Sequence, residues 1–119
     1  MRLVRYLHNG EIGIGVKLAN GVAPTGYSDM LAFIQAGEVA LQKARAAATR
    51  AERVADYLTL APLPNPGKVL FSGLNDRSHL EENPGATLPT YPQFFAKLPS
   101  SIIGPGEAIR LPEPQSQVD

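Results

Sequence analysis

Along residues 11–18, apolar side chains stand at every second position: Ile12, Ile14, Val16 and Leu18 alternate with Gly13, Gly15 and Lys17. A period of two is that of a β-strand with one face buried. The preceding segment, Arg2 to Leu7, joins it through Asn9-Gly10, the dipeptide that most readily adopts the backbone of a two-residue hairpin turn. A second pair, Asn20-Gly21, turns the chain again before Val22 and Pro24. The first quarter therefore reads as a β meander.

From Ser28 the spacing changes. Met30, Leu31, Phe33 and Ile34 fall at helical intervals, with Ser28 as the expected N-cap, Asp29 in the first turn and Gly37 as the stop. A second, longer helix is predicted over residues 37–55. It is rich in alanine, with Glu38 early and Lys43, Arg45 and Arg50 later, the order that suits a helix dipole. Its small side chains are expected to pack closely on a neighbour and to carry no chemistry.

Residues 57–75 read as strand, connector and strand. Pro62, Pro64 and Pro66 forbid a helix, and Val69-Leu70-Phe71 is a short apolar run that ends at Gly73. A boundary is expected near residues 61–67, dividing a small α+β domain (1–60) from a second region (61–119). Beyond it prolines and glycines recur, so the region reads as loop-dominated. Tyr91, Phe94 and Phe95 with Ile102-Ile103 favour function over disorder there. The strand fragments of this half have no evident partners and read as part of a larger sheet, which suggests truncation. Val69 to Phe71 and Ile102-Ile103 are then expected to be exposed apolar edges that promote self-association.

Composition narrows the partners. Eleven basic and eleven acidic residues give zero formal charge over 119 residues, which leaves no excess to hold phosphate backbones or anionic lipid. Nucleic acid and membrane are therefore not expected as partners. The absence of cysteine removes disulfides, thiolate nucleophiles and cysteine-ligated metals, and fits a cytoplasmic protein. The start, despite Arg2 and Arg5, holds no apolar run long enough for a signal peptide or a membrane span.

Candidate chemistry gathers around His79, one of two histidines. Ser78 and Glu81 have the spacing of a capping box, which predicts a helix starting near residue 78. His79 would lie in its first turn, where the partial positive charge of the helix end disfavours imidazolium and helps the ring accept a proton. Glu82, three residues on, shares its face and would orient the ring by accepting one N–H. A solvated histidine on a short polar helix is the plainer reading of the same spacing, which alone does not decide between them. His8, beside the first turn, is given no role, and the Gly13-Ile14-Gly15 run lacks the spacing of a dinucleotide fingerprint. Gly104-Pro105-Gly106 reads as a tight turn, because no helix start follows it to bind phosphate.

The blocks PNPGKVLFSGLNDRSHLEE, FFAKLPSSIIGPGEAIRLP and SQVD, in that order, resemble the fumarylacetoacetate hydrolase family. The likeness spans residues 62–119, and residues 1–60 are more loosely similar to the small N-terminal domain of bacterial members. It implies the first, loop-rich part of a β-rich catalytic fold, incomplete here. It further implies a metal-dependent hydrolase or lyase that cleaves C–C bonds of small oxo or dioxo acids with magnesium or manganese, water being activated by a His79–Glu82 dyad. Hydration, isomerisation and decarboxylation occur in the same family. The family usually forms homodimers through its catalytic domain.

By position in those blocks, Lys97 matches the family's lysine near the substrate, against the plainer reading of a solvated lysine after an aromatic pair. Arg77 would contact a substrate carboxylate or face solvent. Asp76 and Ser78 stand where the family commonly has an aromatic residue and an aspartate, so one wall of the pocket is expected to differ. A proline-rich stretch between His79 and Lys97 falls in the family's lid region. The family's metal ligands are a Glu-x-Glu pair and a later aspartate, and no Glu-x-Glu occurs in these 119 residues. The cation's ligands are therefore not expected within this chain, and a non-catalytic fragment or assembly module is the competing reading.

Overall fold

The computed structural model describes residues 1–73, 81, 85, 87 and 89–113. It is α+β, and its residues fall into two compact units. One comprises Met1–Leu63 together with the chain from Ile103 on, and the other comprises Pro64–Ile102.

The first unit is built on a four-stranded antiparallel sheet of β1 (Leu3–His8), β2 (Glu11–Leu18), β3 (Gly21–Tyr27) and β4 (Leu58–Leu60), in the order β3-β2-β1-β4. The β1–β2 hairpin closes as expected: His8 faces Glu11 across Asn9 and Gly10, which have φ of 49° and 82°. Positive φ at both central residues gives the turn a twist that matches its flanking strands.

Helices α1 (Met30–Gln35) and α2 (Gly37–Thr49) follow β3. Ile14, Val16 and Ala23 of the sheet form one core cluster with Met30, Phe33, Ala40, Ala44 and Ala47. Ala40 and Ala44 are fully buried. The alanine spacing of four and three puts a smooth stripe on one helix face, and the absence of longer side chains lets the backbone approach the sheet. A second, smaller cluster joins Val4, Tyr6 and Val22, with Val54 and Tyr57 packed against it.

The glycines of β2 serve this second cluster. Gly13 faces Tyr6 across the β1–β2 pair, and a methyl group built at Gly13 would stand 2.6 Å from the Tyr6 ring carbon Cζ and hydroxyl oxygen. The Gly-rich run is therefore a seat for an aromatic ring. Burial, followed by the negative charge of Glu52, raises the Tyr6 phenol above its ordinary value.

In β3 the register to β2 slips between Ile14 and Gly15, so that Ile14 pairs with Tyr27 while Gly15 pairs with Pro24. This bulge releases the Ile14 carbonyl, which accepts a hydrogen bond of 2.6 Å from the buried Thr25 hydroxyl. Pro24 is tolerated because β3 lies at the edge of the sheet, where a missing N–H breaks no ladder.

Two helix boundaries differ from expectation. Asp29, not Ser28, is the N-cap of α1: its carboxylate accepts the Ala32 N–H at 2.7 Å. The second helix ends at Thr49 rather than running to residue 55, and Arg50 is already extended. Beyond it the chain returns to the sheet. Val54 exchanges two backbone hydrogen bonds of 2.9 Å with Val22, and Arg53 donates to the Ala48 carbonyl at 3.0 Å, satisfying one of the last carbonyls of α2. Helical propensity in residues 50–55 is weak beside two ladder bonds and a capped helix end.

The second unit contains β5 (Val69–Gly73) and β6 (Gln93–Lys97), paired antiparallel, followed by a single 3-10 turn, Pro99–Ser101. The expectation that Val69 to Phe71 lacks a strand partner is thus overturned. Its partner is the segment holding Phe94 and Phe95, which pairs along the whole of β5 from Val69↔Lys97 to Gly73↔Gln93. The exposure holds for Leu70, Phe71 and Ile103, at 62%, 48% and 44%, whereas Val69 and Ile102 are half-buried.

Candidate functional site around Lys97

Lys97 closes β6, two residues after Phe95 and therefore on the same face of the ribbon. Directly opposed residues of an antiparallel pair share a face, so Phe71, the partner of Phe95, joins them. The two rings are stacked, with centroids 5.7 Å apart and planes inclined by 30°. The Lys97 ammonium rests over both, 5.5 Å from the Phe95 centroid and 5.8 Å from that of Phe71, within the reach of a cation–π contact. Gly73 lets the Phe95 ring lie flat on the neighbouring strand, since a methyl group there would meet its Cε1 at 3.3 Å. The result is an exposed, positively charged group held on an aromatic floor, an arrangement able to receive a carboxylate.

His79, Glu82 and Arg77 lie outside the described residues. Lys97 itself pairs with Val69 at one end of the ribbon. The sequence singles out Lys97 as a candidate but gives neither β6 nor the aromatic floor beneath it. The signal available was the β-prone Phe94-Phe95 pair set between Pro92 and Pro99, which reads equally well as loop.

Other candidates resolve into structural roles. The imidazole of His8 bonds through Nδ1 to the Asp56 carbonyl at 2.5 Å and through Nε2 to the Asn9 amide nitrogen at 3.1 Å, pinning the turn to the segment before β4. Gly104-Pro105-Gly106 is a type II turn, closed by the Glu107 N–H donating to the Gly104 carbonyl at 3.2 Å, with Gly106 at φ 82°. Among the described residues, no three histidine, aspartate or glutamate side chains converge as metal ligands. A hard divalent cation needs several oxygen donors meeting at one point, so the described residues do not fit one. No described helix is long and apolar enough to cross a membrane.

The backbone fold has a counterpart among solved structures. The fold superposes on the crystal structure of a protein described as HpcE from Mycobacterium smegmatis, with a TM-score of 0.74 and 30% identity over 94% of this chain and 41% of that one. No family model matches the chain. All of its length aligns, at 34% identity over 133 residues, with oxaloacetate tautomerase fahd2, mitochondrial, of Xenopus laevis, and covers 41% of that protein. The human oxaloacetate tautomerase FAHD2A, mitochondrial, is 34% identical over 132 residues and is covered to 42%. The same identity and coverage hold for fumarylacetoacetate hydrolase domain-containing protein 2 of Pongo abelii. Two of these relatives bear the name of an enzyme, oxaloacetate tautomerase. The chain belongs to the fumarylacetoacetate hydrolase family, and it spans about two fifths of the length of the curated relatives it matches.

Proposed function

We propose that the protein carrying this chain acts on a small oxo acid by moving a proton next to a carbonyl group, with enol–keto tautomerisation of an oxaloacetate-like diacid as its reaction. The observation that carries this reading is the alignment of the whole chain with proteins named oxaloacetate tautomerase. In the proposed reaction His79, oriented by Glu82, takes a proton from the carbon beside the carbonyl, and the same proton is returned to the enolate oxygen. One C–H bond breaks and one O–H bond forms, so no co-reactant is consumed. Lys97 and Arg77 bind the substrate's carboxylates and offset the charge that develops on the enolate. The exposed ammonium on its aromatic floor supports that role for Lys97.

Hydrolytic cleavage of a C–C bond is the second reading, favoured by the motif around His79. There the same dyad activates water in place of the substrate carbon. Residues 61–119 would be the start of the catalytic domain, and a homodimer is the proposed assembly. Magnesium or manganese is the Lewis acid that the family resemblance implies, but no step here passes through a cation, because the described residues do not fit one. The absence of cysteine suits a reducing compartment such as the cytoplasm, while the animal relatives bear mitochondrial names.

The test uses the gene product isolated from its host. Loss of the ultraviolet absorbance of enol-oxaloacetate is followed beside release of 2-oxo acid from an acylpyruvate. His79→Ala is expected to lower kcat for the preferred reaction by about 10²–10⁴-fold. An unchanged rate would overturn the assignment of the base. Turnover of neither substrate by the unaltered protein would favour a non-catalytic assembly role.

A further inference from the structure

We infer that Phe71 and Phe95 are positioning residues for Lys97, a role that rests on the reading of Lys97 as a substrate contact. The lysine side chain has four rotatable carbons and a compact charge, so a free ammonium at a strand end samples many positions and loses that freedom when it binds an anion. Here the register of β5 and β6 fixes where it rests. Val69↔Lys97 and Phe71↔Phe95 are successive pairs on one face of the ribbon, and the stacked rings lie beneath the ammonium at 5.5 Å and 5.8 Å. Among the described residues no carboxylate forms an ion pair with Lys97, and the rings themselves carry no charge that would neutralise it. Phe71 lies on β5 and Lys97 on its partner β6, so the seat of the ammonium is built from both strands.

A group that orders the ammonium without touching substrate should govern affinity more than chemical rate. Replacing either ring by leucine keeps apolar volume and removes the π face. Phe71→Leu and Phe95→Leu are expected to raise KM for the oxo acid by about two- to fivefold, the range of an exposed cation–π contact, with kcat nearly unchanged. Phe71→Tyr, which retains a ring face, is expected to restore KM. Lys97→Ala is expected to raise KM further than either leucine variant.

A spectroscopic readout accompanies the kinetics. Nuclear magnetic resonance of the lysine Hε protons should show Lys97 shifted upfield by ring current. Phe71→Leu should reduce that shift, the Phe95 ring remaining in place, while leaving the one at Lys43, whose ammonium lies 5.1 Å from the Tyr27 centroid in the other unit. If Lys97→Ala raises KM but both leucine variants leave KM and the Lys97 resonance unchanged, the positioning role is overturned and the substrate contact stands. If Lys97→Ala leaves KM unchanged, the contact itself fails, and the positioning role with it.

Discussion

Gly15 offers the sharpest test of how the sheet is packed. It lies in the middle of β2, fully enclosed, between Val4 on β1 and Pro24 on β3. A methyl group at this position would overlap the Cγ1 of Val22 outright, stand 2.8 Å from the Ala23 carbonyl oxygen and reach 3.2 Å from the Tyr6 ring. Rotation of one side chain cannot relieve all three. Val22 is 0% exposed and its backbone is tied to Val54 by two hydrogen bonds, while the Ala23 oxygen is main chain. Overpacking of this kind costs about 1–3 kcal/mol. Taking about 2 kcal/mol, and about 4–8 °C of Tm per kcal/mol for a unit of this size, Gly15→Ala should melt about 8–16 °C below the parent by far-ultraviolet circular dichroism.

Gly67→Ala is the control, since a methyl group there meets nothing within 4 Å and no positive φ is required; it should leave Tm unchanged or slightly raised. The double variant Gly15→Ala with Val22→Ala removes the Cγ1 overlap but not the backbone contact. The two changes together should therefore cost less than their sum by more than about 0.5 kcal/mol. A Gly15→Ala protein melting within 2 °C (roughly the control's scatter) would refute the packing described for the Tyr6 face.

Further outcomes follow from single contacts. Thr25→Val leaves the Ile14 carbonyl without its hydroxyl donor and should cost about 1–3 kcal/mol in urea unfolding, whereas Thr25→Ser should keep most of the stability. Asp29→Ala should cost about 1 kcal/mol by loss of the α1 cap, and Ser28→Ala should cost much less; the reverse order would return the cap to Ser28. Tyr6 bears on alkaline stability. Its folded pKa is raised above the unfolded value near 10, so its contribution is complete below pH 10 and is lost as pH rises through the folded value. Urea midpoints of the parent should fall above pH 10 more steeply than those of Tyr6→Phe, and parallel curves would contradict the burial of the phenol.

What the sequence determined by itself was whatever rests on neighbouring residues. The alternation of Ile12, Ile14, Val16 and Leu18, the Asn9-Gly10 turn, the alanine stripe of α2 and the Gly104-Pro105-Gly106 turn are local, because each depends on side-chain period or on backbone conformations open to few residues. The family was legible for a different reason, since several motif blocks in a fixed order are far more specific than any one of them. Contacts between residues distant in the chain were decided only in three dimensions. The second helix stopped at Thr49 because Val54 is claimed by Val22, thirty-two positions earlier in the numbering. Gly13 and Gly15 acquired their purpose only when Tyr6 was laid across them. Lys97 became a seated cation only when β6 paired with β5 and brought Phe71 beside Phe95. A strand's partner is set by which long-range pairing buries and satisfies the most, and that sum is taken over the folded chain rather than over any window of its sequence.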